Sequence, residues 1–334
     1  MTRLAAKIGS LACALMLSAA ASHASAEELR IASGFGDTHS ATRAMRDVFA
    51  PKVEELTEGR YTVSVFPNSE LGQAPEMVNQ AQSGINFGVY VSSAFYNSQV
   101  PEIGVTNMPF VFPDRETAFK VFDGPFGEKL EPLFEKNGLA VLGYMELGFR
   151  HVTNSVREIA TPADLKGIKI RLQNNPVHIA TFNMLGASPV SIDGSEMFAA
   201  LSQGVVDAQE NPYAVINVFR LYDAKQKFMS DTGHFYDVIV FAVSKSVLDA
   251  MDAKDRASVV EAGKEATLAQ RKFAAEDEAV NLEAILSHGV TFTKLTPEQR
   301  EAFRTATLPI ADEVRARLGA ELVDNFLASV EAAK

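Results

Sequence analysis

Two arginines are the residues whose type and position best suggest chemistry. Arg171 lies near the end of a strand-like run, 168–172, and Arg150 follows another such run, 139–145. In open α/β sheets, ligands bind beyond the carboxyl ends of strands, and the planar guanidinium matches both oxygens of a carboxylate. The pattern is compatible with a carboxylate site. It is equally compatible with surface arginines or with ion pairs to some of the many acidic residues.

Sequence signatures of common enzymes are absent. The chain has no Gly-x-Ser-x-Gly, Walker or His-Glu-x-x-His motif, and Gly34-Phe35-Gly36 lacks the third glycine of a dinucleotide fingerprint. The histidines after residue 26 are scattered without the spacing of metal ligands. We therefore expect no catalysis, no cofactor and no metal, although a hydrolase whose triad is assembled in space would leave no such motif.

A polar segment, 206–213, separates two apolar helical stretches. Alone it predicts a loop, with Asp207 and Glu210 as helix caps or solvated acids. A glycosidase-like pair of carboxylates would need a defined separation that a sequence does not give.

The first 26 residues predict a secretory signal peptide. Arg3 and Lys7 precede an uncharged apolar run that ends at Ala24-Ser25-Ala26, and the run is too short to span a bilayer. Cys13 is the chain's only cysteine and lies within this segment, so the mature protein has no disulfide. The formal net charge of −11 argues against binding to nucleic acid or to an anionic membrane surface.

Strand-like and helical patterns alternate along the chain, which indicates an α/β protein. Strands are expected at 29–33, 61–66, 87–91, 139–145 and 237–243, among others. Residues 252–287 contain no proline and one glycine, Gly263. A continuous helix there would be about 50 Å long and would cross more than one lobe; two helices broken near Gly263 are the alternative. Because no low-complexity linker divides the chain, its lobes are expected to interweave.

Five segments, taken together, resemble one family. They are Phe66–Gly72, Gly148–Asn154, Thr161–Arg171, Leu185–Pro189 and Ala199–Pro212. The last contains Gln-Gly-Val-Val-Asp-Ala-Gln-Glu-Asn-Pro. In this order they resemble the solute receptors of tripartite ATP-independent periplasmic (TRAP) transporters, the DctP family.

The resemblance implies a fold and its division. It implies a two-lobed α/β fold of the periplasmic-binding-protein type (type II-like), with mixed sheets flanked by helices and a long helix across both lobes. By family likeness, the first lobe is 27–147 plus about 237–276. The second is 148–236 plus about 277–334.

The resemblance also implies site residues. The family's main carboxylate-binding arginine falls on Arg171, a second ligand-facing arginine on Arg150, and an asparagine on Asn211. Where the family often has an aromatic ring, this chain has Gly194 preceded by Asp193, which leaves room for a larger or more polar ligand. Asp193 either binds ligand hydroxyl or ammonium groups or caps the helix that begins near Ser195. Further candidates at the cleft are Phe35, His39, Ser92, Ser93 and Tyr236.

The function implied is capture and delivery of a solute. The protein would be a periplasmic, monomeric receptor for a small organic carboxylate of the hydroxy-, sugar- or amino-acid type, and would pass it to TRAP permease subunits in the membrane. An ABC-type receptor, a sensory receptor and a periplasmic hydrolase are the alternatives.

Overall fold

The computed structural model describes residues 26–334, so all but the last residue of the predicted signal peptide lies outside it. The strands are β1 (Glu27–Ala32), β2 (Tyr61–Phe66), β3 (Gly88–Ser92), β4 (Leu139–Asn154), β5 (Lys169–Leu172), β6 (Ser188–Ser191), β7 (Ala208–Asn211), β8 (Phe228–Ser244) and β9 (Thr291–Thr293). The α-helices are α1 (Ser40–Ala44), α2 (Ala50–Leu56), α3 (Ala74–Gln82), α4 (Arg115–Phe122), α5 (Pro125–Lys136), α6 (Pro176–Met184), α7 (Gly194–Gln203), α8 (Tyr213–Val218), α9 (Lys245–Ala250), α10 (Ala253–Ser287), α11 (Pro297–Thr307), α12 (Ile310–Leu318) and α13 (Ala320–Ala333). A π-helical segment, Met45–Phe49, joins α1 to α2.

The described strands form one mixed sheet in the order β2-β1-β3-β8-β4-β7-β5-β6, with β9 beside β8. β1, β2 and β3 are parallel, as are β5, β6 and β7. β4 and β8 are antiparallel to each other, β4 is antiparallel to β7, and β8 is antiparallel to β3 but parallel to β9. Two parallel half-sheets are therefore joined through one central antiparallel pair.

β4 and β8 are long enough to serve both half-sheets. They have 16 and 17 residues, whereas the sequence predicted only 139–145, at the start of β4, and 237–243, near the end of β8. Their pairing shifts register between Glu146 and Gly148, and again between Arg150 and Val152. Gly148 has a φ of +110°, a backbone conformation that favours glycine. The irregular pairing lies where the strands pass from one half-sheet to the other.

The long helix α10 is continuous over 35 residues, so the alternative of a break at Gly263 is wrong. It packs on β4, on α1 and α2 beside the first half-sheet, and on α8 beside the second. Gly263 lets it approach the sheet, since a Cβ there would lie 2.8 Å from the Cβ of Leu142. No described helix, α10 included, has both the length and the apolar composition of a membrane span.

One helix packs differently from the expected lobe division. α13 contacts α4 and α5, and the ring of Phe326 lies 4.9 Å from that of Phe126. The predicted boundaries put α4 and α5 in the first lobe and α13 in the second. The boundaries stay a prediction, but the packing of α13 favours the first lobe for this helix, because its apolar face is covered there.

The close contact between β4 and α10 can be tested at Gly143. A Cβ at this position would overlap the side chain of Thr267. We expect Gly143→Ala to lower the free energy of unfolding by about 1–3 kcal/mol, the usual cost of overpacking. In urea unfolding, Thr267→Ala should recover part of that loss in the double variant. Strictly additive effects of the two substitutions would contradict this packing.

Candidate functional site

A cavity lies between the two half-sheets. Its first side is mainly apolar and includes Phe35, from the loop after β1, and Ser92 and Phe95, at and after the end of β3. Its second side carries Arg171, Asp193 and Asn211. The cavity thus collects residues that are far apart in sequence at the carboxyl ends of strands, where α/β sheets bind ligands.

Arg171 is buried, yet the terminal nitrogens of its guanidinium have no protein partner among residues 26–334. Its side chain is only 2% exposed, and Nε donates to the carbonyl oxygen of Ile192 at 2.8 Å. Burial lowers the pKa of Arg171 to about 10, although Glu210 acts in the opposite direction, so the group stays charged at neutral pH. A buried cation that lines the cavity, is fixed through Nε and has two unpartnered terminal nitrogens suits an anion with two oxygens.

Arg150, in contrast to Arg171, is paired with acidic side chains of the protein. It is fully buried, and its nitrogens donate to Glu210 Oε2 at 2.5 Å, Glu210 Oε1 at 2.8 Å and Asp237 Oδ2 at 3.0 Å. Its Nη2 also donates to the Asn211 side-chain oxygen at 3.0 Å. Burial alone would raise the pKa of Glu210, but Arg150 and His234 hold it well below its usual range. Arg150 therefore ties together β4, β7 and β8.

Asp237 carries this network into the first half-sheet. Its carboxylate accepts from Ser92 Oγ at 2.6 Å and from Ser93 Oγ at 3.0 Å. Ser93 in turn accepts from Asn107 Nδ2 at 2.9 Å. Both serines are thus engaged by protein groups, and of the two only Ser92 lines the cavity.

The structure brings five of the predicted site residues to the cavity wall, namely Phe35, Ser92, Arg171, Asp193 and Asn211. Arg150, Ser93, His39 and Tyr236 do not line it. The His39 ring stacks on Phe35 at 4.3 Å and caps α1, and burial lowers its pKa to about 3. Tyr236 packs edge-on against Phe149 at 5.0 Å. These four remain predictions as ligand contacts.

Sequence reasoning missed three polar residues that shape the site. Glu210 and Asp237 neutralise Arg150, and Gln173 lines the cavity. The segment predicted to be a loop with a solvated Glu210 is in fact strand β7, and Glu210 is fully buried. A charged residue such as Glu210 does not look like part of a buried strand in the sequence. It can be buried here because its counterion, Arg150 of β4, lies 60 residues away in the sequence. Gln173 directly follows strand β5.

Residues 26–334 contain no cluster of three or more His, Cys, Asp or Glu side chains arranged to bind a metal ion.

Comparison with known proteins relates this geometry to characterised receptors. The 2,3-diketo-L-gulonate-binding periplasmic protein of Escherichia coli is 34% identical over 268 residues, which is 80% of each chain. The sugar acid binding protein of Advenella mimigardefordensis, solved with galactonate, superposes with a TM-score of 0.90 at 32% identity, over 92% of this chain and 99% of that one. The predicted two-lobed α/β fold is thereby confirmed.

A further solved neighbour has a different kind of ligand. The TRAP periplasmic solute binding protein of Sulfurospirillum deleyianum, with bound succinate, has a TM-score of 0.86 at 31% identity, over 92% of this chain and all of that one. The model of the family described as bacterial extracellular solute-binding protein, family 7, matches residues 31–317. The resemblance seen in the sequence is confirmed: the chain belongs to family 7 of the bacterial extracellular solute-binding proteins, the DctP family, which includes the solute receptors of TRAP transporters.

Proposed function

We propose that the chain captures a small organic carboxylate on Arg171 in the periplasm and delivers it to TRAP permease subunits, as a monomer and without catalysing a reaction. The observation that carries this proposal is the buried guanidinium of Arg171, which lines the cavity and whose terminal nitrogens have no hydrogen-bond partner within residues 26–334. A charge held out of water without a counterion is costly, and a bound carboxylate would supply that counterion.

The family supports this proposal. Its members are substrate-binding proteins of transport systems, located outside the cytoplasm and working with membrane permease subunits, and their ligands include organic acids. The TRAP affiliation favours a transport receptor over the ABC-type and sensory alternatives. The secretory signal predicted at the start of the chain supports export.

Closure of the lobes would follow ligand binding. The cavity takes residues from both half-sheets, so a ligand on Arg171 can contact Phe35 and Ser92 across the cleft. A ligand shifts a conformational equilibrium only through contacts that differ between the two states. We place the hinge near 147–150 and 236–238, where β4 and β8 pair irregularly. In this scheme the network of Arg150, Glu210 and Asp237 keeps the strands together at the hinge.

Substitution of Arg171 tests the proposed anion site. We expect Arg171→Ala to weaken binding of the acid that most stabilises the protein in a thermal-shift screen by about 100-fold or more, since two charge-assisted hydrogen bonds are lost. Arg171→Lys should also weaken binding, because the fork is lost. Calorimetry measures both, with Arg256→Ala as control, since Arg256 is a partly exposed residue of α10 that does not line the cavity. Unchanged affinity in Arg171→Ala would refute the site.

Arg150 and Arg171 should differ in their effect on the empty protein. Arg150→Met leaves Glu210 and Asp237 buried without their cation, so we expect a loss of about 3–5 kcal/mol in the free energy of unfolding. Arg171→Met makes the same chemical change where no acid is paired, and should leave stability nearly unchanged. Urea unfolding without ligand compares the two. Equal losses would contradict the proposed division between a structural and a binding arginine.

A further inference from the structure

The charges around the cavity limit what kind of carboxylate fits. Among its described lining residues, Arg171 is the single cationic side chain. The other buried guanidinium nearby, Arg150, is paired with both Glu210 and Asp237. A second carboxylate on the ligand would therefore meet no free cation, and desolvating it there would be costly.

Asp193 adds a negative group to the same wall. Its Oδ1 accepts from the backbone N–H of Ser195 at 2.9 Å and from Ser195 Oγ at 2.8 Å, which caps α7. Its Oδ2 is buried and has no hydrogen-bond partner within residues 26–334. The carboxylate thus caps the helix with one oxygen and leaves the other unsatisfied at the cavity wall.

Gln173 supplies a second acceptor of this kind. It is 4% exposed, lines the cavity, and its side-chain oxygen is buried without a partner in the described chain. Gly194 leaves room beside the guanidinium, because a Cβ there would meet no atom closer than Arg171 Nη2 at 3.9 Å. Buried acceptors are normally satisfied by hydrogen-bond donors, which in this cavity a ligand can bring.

We infer that Asp193 and Gln173 make the receptor selective for monocarboxylates that carry hydroxyl or ammonium donors near the carboxylate, and that Asp193 excludes dicarboxylates. This inference rests on the proposed binding of a carboxylate to Arg171. A donor on the ligand satisfies Asp193 Oδ2, whereas a second carboxylate is repelled by it. The selectivity is decided by Asp193 and Arg171, the acidic and the basic side chain among the described residues that line the cavity.

Asp193→Asn is the informative substitution. Asparagine is also a good N-cap, and while its oxygen keeps the bonds from Ser195, its NH₂ group replaces the free carboxylate oxygen at the cavity. An acceptor thereby becomes a donor and the negative charge is removed. Asp252→Asn is the matched control, since Asp252 caps α10 through Lys254 N–H and Asp255 N–H at 2.8 Å each, and it does not line the cavity.

The probes are two series of equal chain length. The four-carbon series is butyrate, D-erythronate, L-2-aminobutyrate and succinate, and the six-carbon series is hexanoate, D-galactonate, L-2-aminohexanoate and adipate. By calorimetry, we expect the wild-type protein to bind a donor-bearing acid at least about 10-fold more tightly than the unsubstituted acid or diacid of the same length.

The two kinds of donor respond differently to Asp193→Asn. A hydroxyl can turn to accept from the new NH₂ group, so a hydroxy acid should lose about 10-fold in affinity. An ammonium group cannot accept, so an amino acid should lose about 100-fold. Succinate and adipate, the diacids of the two series, should both bind Asp193→Asn more tightly than the wild-type protein. Asp193→Ser keeps a cap but lacks the reach, so it should weaken the donor-bearing acid. Because the negative charge is also removed, the diacid should gain affinity, but less than in Asp193→Asn, which adds a donor.

The outcomes separate this inference from the proposed function. If a diacid binds the wild-type protein as tightly as the donor-bearing acid, or Asp193→Asn leaves their affinity ratio unchanged, the inference is overturned while the carboxylate site stands. If no probe binds, or binding survives Arg171→Ala, both fail. Unchanged ratios in Asp252→Asn are expected; a change there would mean that helix capping, rather than the free oxygen of Asp193, sets the preference.

Discussion

The balance of charge around two buried guanidinium groups organises this molecule. A guanidinium out of water needs a counterion, and Arg150 finds two of them in Glu210 and Asp237. Three strands are fixed to one another by that requirement. Arg171 lies in the same region and is also buried, but its terminal nitrogens have no hydrogen-bond partner among residues 26–334. Arg150 thus stabilises the fold, whereas Arg171 is available to bind a ligand.

The two sides of the cavity also differ in the kind of residue that they contribute. The first half-sheet contributes mostly apolar groups such as Phe35, while Ser92 and Ser93 are engaged with Asp237. The second half-sheet contributes the groups with unused hydrogen-bonding capacity. Recognition is therefore concentrated on one side of the cleft, and the other side excludes water, which strengthens the electrostatic interactions inside.

The sequence predicted the parts of the fold that follow local rules. The proline-free run of α10 and the start of the helix at Asp193 are readable because caps and breakers act over a few residues. The full lengths of β4 and β8 and the strand containing Glu210 were not readable, since their charged residues are buried only through partners elsewhere. Arg150 and Asp237, for example, are 87 residues apart. Arg171 was found through family resemblance, while its unpaired state depends on what surrounds it in space.

The position of β8 in the sheet has a consequence for how the chain assembles. β3 reaches the centre of the sheet only by pairing with β8, as Gly88 does with Val243. The early strands therefore have an open edge until the last third of the polypeptide has been made. Contacts of such long sequence separation form slowly, because much loop entropy is lost before they form. Completion of the central sheet therefore waits for the synthesis of β8, residues 228–244.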